Sequence, residues 1–417
     1  MTTSVRPPAV RSAGWFPVAR AAEVGTTPLP VGAGGQAFVV VRLRPGGEVS
    51  AFPARCPHRL VPLSAGTVVD GRLRCRYHGW RFDAEGRCVA VPALGPDGVA
   101  PPRADLPVPW AVEERHGWVW LAPERTAVAV PPPPADEPRP EPAPPLPEPA
   151  GPVFGNLDPS LARAWHPVAL SRELRPGGWS QVRLAGRTWA LRRTEGGLVA
   201  EPPAFDVGER YGIVWLAPEA PAAKPLRVPE LTDRRFVVAH LQPERAAGPA
   251  APLLDTLLDE THADVPPSGD PPPVSPADGA VVDEPGGFTA VREPGPAESY
   301  RTTTVVRAPF QLRRRVEDPR TGAVSTLVVV LQPEDADSTR VYGCLFLSAG
   351  PGRPLPAPAD VARAVAAQQA ALRADVDLQA HLRSPGLPLL PRDELHLAPD
   401  RLGVALRRAL AGFARRT

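Results

Sequence analysis

CPHRLVPLSAG (56–66) and CRYHGWRFDAEGRCVAVP (75–92) decide how this chain is read. Each stretch opens on a cysteine and sets a histidine within the next three residues, Cys56 with His58 and Cys75 with His78. Cysteine and histidine at short spacing ordinarily suggest zinc, but zinc sites tend to draw a cysteine pair from one loop and a histidine pair from another. Here each loop supplies one thiolate and one imidazole. That division suits a binuclear iron centre, with two thiolates on the iron that stays ferric and two neutral imidazoles on the one that is reduced. Neutral ligands in place of anionic ones raise the potential above that of an all-cysteine cluster. The outer imidazole nitrogens are then expected to exchange protons with solvent. A zinc ribbon, or buried structural thiols, is the competing reading.

At these residues the chain resembles the Rieske family, and specifically the Rieske non-haem iron oxygenases, whose two cluster loops it matches almost throughout, Gly79, Trp80 and the Gly86 turn included. The resemblance implies a [2Fe-2S] cluster on Cys56, His58, Cys75 and His78. Respiratory-type relatives add a disulfide between the loops; this chain has Val61 and Arg76 near those places, which disfavours the respiratory type. Cys88 and Cys344 are expected to be packed core thiols.

Outward from the loops, residues from Trp15 to about Glu124 carry short apolar runs such as AFVVVRL (37–43) and GWVWLA (117–122) between Gly/Pro turns, an all-β pattern. GAGGQA (32–37) loosely fits a dinucleotide fingerprint but precedes a strand, so a hairpin turn explains it. A proline-rich stretch (127–155) follows, too short of amide donors to join a sheet or helix. Beyond it the sequence repeats itself. WFPVARAAEV (15–24) returns as WHPVALSREL (165–174), PGGEVSAFP (45–53) as EGGLVAEPP (195–203), and VEERHGWVWLAPE (112–124) as VGERYGIVWLAPE (207–219). Between the last two matches the second copy has only residues 204–206 where the first has 54–111, the segment that holds every cluster ligand.

From about Val228 the pattern changes. LLDTLLDETH (253–262) reads as a helix with an apolar stripe. TTTVVRA (302–308), FQLRRRVE (310–317), STLVVVLQ (325–332) and RVYGCLFLS (340–348) read as antiparallel strands joined by short turns such as DPRTG (318–322). Residues 359–382 have the composition of a long helix, and a last amphipathic helix spans about 399–414. Arg313, Arg314 and Arg315 form a partly solvated strand face without stacking aromatics.

Oxygenases of the resembled family share a helix bearing an acidic residue, then Asp-x2-His, a second His, and a later Asp that completes a two-histidine, one-carboxylate face. Asp255, Asp259 and His262 fit the first part, since spacings of three and four residues share one helix face. Asp375 falls where the late carboxylate belongs. The resemblance therefore implies Asp259 as electron bridge, and His262 and Asp375 as ligands of a mononuclear Fe(II). The second histidine is missing: Pro266 and Pro267 stand in its place. Asp264, a water, His166 or His240 would fill the gap, or the centre is a relic and Asp259 and His262 cap a helix or form a buried polar pair.

A net charge of +2 gives no electrostatic case for a nucleic-acid or membrane partner. Lys224 is the only lysine and there are 60 prolines, a genome-like bias. No stretch approaches the roughly 20 apolar residues of a membrane span, and MTTSVRPPAVRSAGWF (1–16) has no secretory core. A cytoplasmic protein is expected, with four cysteines too few for a disulfide framework.

The fold class expected is mixed. An all-β Rieske domain (1–126) and the linker (127–155) lead to a truncated Rieske-like β domain without cluster loops (156–228). An α+β helix-grip-like domain with an antiparallel sheet (229–417) ends the chain. The resemblance implies an oxidoreductase that takes electrons from a separate reductase or ferredoxin and oxygenates a small organic substrate, arranged as a homotrimer. The alternative is a tethered electron carrier whose later part is a docking scaffold.

Overall fold

The computed structural model describes residues 14–95, 97–131, 133–134, 136–259, 261, 279–295, 299–382 and 384–415. They form a mostly β molecule with two compact units, the first made of the residues up to Glu148 together with Thr261 and the second beginning at Pro149.

In the first unit β1 (Phe16–Arg20) pairs with β10 (Trp118–Ala122), and β10 with β9 (Ala111–Arg115). A second sheet joins β2 (Leu29–Ala33), β3 (Gln36–Arg42) and β4 (Val49–Pro53). The GAGGQA stretch makes the tight turn between β2 and β3, with Gly34 and Gly35 both left-handed at φ 57° and 73°. Residues 54–110 then insert a four-stranded sheet, β5 (Thr67–Val69), β6 (Arg72–Arg74), β7 (Arg81–Phe82) and β8 (Cys88–Ala90).

β11 (Val153–Phe154) opens the second unit, which then repeats the first unit's two small sheets. β12 (His166–Leu170) pairs with β17 (Ile213–Ala217), and β17 with β16 (Asp206–Arg210); β13 (Trp179–Leu184), β14 (Arg187–Thr194) and β15 (Gly197–Glu201) form the other sheet. The irregularity at Pro17/Ala19 returns at Pro167/Ala169. The indole of Trp120 donates to Arg115 O (3.0 Å), that of Trp215 to Arg210 O (3.2 Å). Arg42 Nε donates to Val24 O and Nη2 to Glu114, and Arg193 does the same to Leu174 O and Glu209.

The rest of the second unit is an eight-stranded antiparallel sheet. β18 (Val237–His240) and β19 (Glu244–Ala247) both pair with β25 (Ser338–Ser348). From β25 the order runs through β24 (Val324–Asp335), β23 (Gln311–Glu317), β22 (Arg301–Arg307), β21 (Gly287–Arg292) and β20 (Gly279–Glu284). Side chains alternate along a strand, and β24 shows what that does here. Leu327, Val329 and Leu331 pack against α1 (Ala250–Leu258), α2 (Pro358–Gln379) and α3 (Arg401–Ala414). Val328 and Val330 pack the other way, with Leu170, Ile213 and Trp215 of the repeat. With both faces covered, the strand needs an unbroken apolar run, which is what STLVVVLQ supplies. A short strand β26 (Leu387–Pro388) pairs with β11.

The division differs from the sequence-based one. The second repeat and the large sheet share a buried layer, so the chain has no break near 228. Much of the linker lies along the first unit: Trp15 Nε1 donates to Val128 O, Arg20 pairs with Glu137, and Glu141 bridges to Gly32. A Cβ on Gly32 would meet Pro142 O at 2.5 Å, so only glycine admits that approach. The expected helix over 253–262 is also corrected. α1 starts earlier and stops at Leu258, and Asp259 leaves it with ψ 117°. No helix among the described residues is long and apolar enough to cross a membrane.

Candidate iron–sulfur and mononuclear metal sites

The two cluster loops are closed by the same pair of hydrogen bonds. Cys56 N donates to Val61 O (2.9 Å) and receives Leu60 N on its carbonyl (3.0 Å); Cys75 N donates to Trp80 O (2.8 Å) and receives Gly79 N (3.1 Å). Both loops turn through a left-handed residue at the same place, Leu60 (φ 54°) and Gly79 (φ 70°). Two equivalent loops thus present a Cys and a His each. Gly86 is required behind them, since a Cβ there would meet Leu106 O and Val108 Cγ1 at 2.6 Å each.

The side chains meet. The His58 and His78 rings lie 4.3 Å apart, centre to centre, and Trp80 stacks on His58 at 4.5 Å and 9°. The thiols of Cys56 and Cys75 are within hydrogen-bond reach of each other; burial pushes Cys56 up, while the bond from its partner draws Cys75 down to about 7. All four residues are buried, the histidines at 3% and 4% exposure, so solvent access to the imidazoles is narrower than the sequence reading expects. Among the described residues no three His, Cys, Asp or Glu side chains could hold a single ion. Two thiols and two imidazoles serving different irons need no such point. The donor set fits a [2Fe-2S] cluster. Burial pushes the thiols of Cys88 and Cys344 up to about 12, as suits packed cysteines.

The second constellation is only partly in view. Asp255 is buried on α1 and is engaged by Arg407 of α3 through Nη1–Oδ1 (2.9 Å) and Nη2–Oδ2 (3.0 Å). Arg407, fully buried, also holds Glu394 (Nη2–Oε2 2.6 Å) and Gly403 O. A buried cation between two carboxylates is stable only as a set. It explains Asp255 without a metal. Asp259 is half-buried at the end of α1, and Asp375 is half-buried on α2. His262, Asp264, Pro266 and Pro267 lie outside the described residues. His166 is buried with Nε2 on Leu161 O (2.7 Å), and burial holds its ring down at about 4; His240 Nε2 lies on Tyr211 O (2.7 Å). Both are packed histidines. Sequence reasoning missed Arg407, though an arginine among Leu402, Leu406 and Leu410 on an amphipathic helix signals a buried partner.

Residues 14–109 match the Rieske [2Fe-2S] domain, and residues 278–416 match the vanillate O-demethylase oxygenase C-terminal domain. Matches to a Rieske cluster domain and to an oxygenase C-terminal domain thus occur in one chain. It is 44% identical over 78 residues to Protein TIC 55, chloroplastic, of Arabidopsis thaliana, covering 18% of this chain and 14% of that protein. To the 3-chlorobenzoate-3,4-dioxygenase oxygenase subunit of Comamonas testosteroni it is 38% identical over 109 residues, 26% of this chain and 25% of the relative. The matches thus span about a quarter or less of these two relatives. A solved structure of the Pseudomonas putida CBB5 NdmA QL mutant with theobromine aligns over 94% of this chain and 88% of that one, at 17% identity and a TM-score of 0.39.

Proposed function

We propose that the chain is the terminal, oxygenase-type component of an electron-transfer system, receiving electrons singly from a separate reductase or ferredoxin and oxidising a small organic substrate. The observation that carries this reading is the meeting of two buried cysteines and two buried histidines at the tips of two equivalently closed loops. Cys56, His58, Cys75 and His78 are the cluster ligands in this reading. When bound, the cluster takes up and gives back one electron at a raised potential. Trp80 fixes the plane of the His58 ring, and the surrounding burial keeps bulk water off the thiolates. His262 and Asp375 would hold a mononuclear Fe(II), the kind of centre that activates dioxygen, and Asp259 would pass protons and electrons toward it.

Residues 156–228 read as a Rieske-like fold without its cluster lobe, supported by the shared strand order and shared arginine clamp. Residues 229–417 read as a helix-grip-like domain, supported by α2 and α3 on one face of an antiparallel sheet. A homotrimer is the assembly the family resemblance implies.

Iron analysis with electron paramagnetic resonance tests the reading. Three irons per chain and substrate-dependent oxygen uptake support it; two irons and no uptake with any donor reduce the chain to a carrier. A colourless protein containing one zinc removes the redox assignment altogether. His262→Ala is expected to leave the cluster's visible spectrum unchanged and to abolish turnover; surviving turnover rejects the mononuclear site.

A further inference from the structure

The two faces of the large sheet part company at β23. Arg314 donates to Leu257 O of α1 at 2.7 Å, whereas Arg313 and Arg315 point the opposite way, to Arg227 O (2.7 Å) and to Glu230 (3.4 Å). On that second face an open hollow of about 660 Å³ lies between the β16–β17 turn and residues 227–234. Its walls include Arg210, Tyr211, Arg227, Leu231, Asp233 and Arg234. The volume is within the range of small-molecule sites.

Its charge is one-sided. Asp233, the carboxylate in the wall, is clamped by Arg235 (Nη2–Oδ2 2.6 Å, Nε–Oδ1 3.0 Å). The other nearby carboxylates are committed too: Glu230 is buried against Thr326 and Arg315, and Glu209 pairs with Arg193. Arg210, Arg227 and Arg234, all exposed, have no carboxylate partner among the described residues, in a chain whose net charge is only +2. Tyr211 stiffens the wall, its hydroxyl donating to Leu226 O and its ring lying 5.7 Å from the Arg210 guanidinium. Guanidinium groups gathered around one hollow repel each other, and each offers a planar donor fork that matches phosphate or carboxylate oxygens.

We propose that this hollow binds a small polyanion, a phosphate ester or a polycarboxylate, on the face of the sheet opposite α1. The site does not depend on the redox assignment. Calorimetric titration of the iron-loaded protein with pyrophosphate and with citrate, at 100 mM salt, tests it. The expected result is saturable binding at one site per chain, weakened at least tenfold in the double variant Arg227→Gln/Arg234→Gln and unchanged in Arg175→Gln, an exposed arginine elsewhere in the same repeat. Preference for pyrophosphate identifies a phosphate ester, and preference for citrate a polycarboxylate. Because the substituted side chains are exposed, the variants should keep the wild-type melting temperature, so lost binding is not lost folding. No saturable binding of either anion, or equal weakening in the Arg175→Gln protein, overturns the proposal.

Discussion

The first and second β repeats share strand order and an arginine clamp, yet they treat one sheet face in opposite ways. In β3 of the first repeat Val39, Val40 and Val41 are all fully buried. In β14 of the second, Trp189 and Leu191 are buried, but Ala190 is half-exposed and Arg192 exposed. The pairing follows suit: where Val39 faces Phe52 across the first sheet, Ala190 faces Glu201 across the second. The first repeat has residues 54–110 as an extra segment, which the second repeat lacks. Where it is absent, the strands show the alternation of a one-sided sheet. The lesson is that the difference between the repeats extends to side chains well away from residues 54–110.

The strongest way to break this comparison is to give the first repeat the second one's residue. Val41→Arg forces a guanidinium onto a fully buried face, at a cost of about 3–5 kcal/mol. The expected outcome is loss of iron and of the visible cluster bands on purification, with the second unit's large sheet intact by circular dichroism. A variant that keeps its full iron content would show that the face is not needed to support the cluster.

What the repeats share should respond equally. Arg42→Ala and Arg193→Ala each remove a bond to a backbone carbonyl and one to a carboxylate, and each should cost about 1–2 kcal/mol in denaturant unfolding. The second carries a pH signature. The Arg193 hydrogen bond holds the Glu209 carboxyl below its ordinary value, so its stabilisation is present above the unfolded value near 4.5 and is lost as pH falls through the lower folded value. Arg193→Ala should therefore flatten the fall of stability below about pH 4.5, and an unchanged slope would mean that the pair contributes nothing.

Much of this was legible in the sequence because it is local. The cluster loops, the repeat and the strands from 302 to 348 each announce themselves by spacing or periodicity, and α2 and α3 fall within a few residues of their expected limits. What was not legible depends on partners far along the chain. The end of α1 at Leu258 and the capture of Asp255 by Arg407 require α3 to be placed first, and no pattern near residue 255 says so. The absence of a break near 228 is of the same kind. It follows from Leu170, Ile213 and Trp215 finding Val328 and Val330 across the sheet, a choice that linker composition does not encode.

The smallest expected effect is the most specific to the comparison. Arg192→Val restores the apolar residue that the first repeat carries, on a strand whose other face is already filled by Trp189 and Leu191. Arg192 is exposed, and its contact with Glu201, at 4.0 Å between side chains that are themselves 63% and 75% exposed, is too open and too long to hold much energy. Stability should therefore move by no more than about 0.5 kcal/mol. Apolar area on that face should rise, because Val199 lies opposite Arg192 and Trp179 next to it in the same row. If the face is solvated, as its alternation says, the variant will unfold like the wild type and bind a hydrophobic dye slightly more. A gain of more than 1 kcal/mol would mean instead that something covers this face, and that the second repeat still keeps a lid in place of the lobe it lacks.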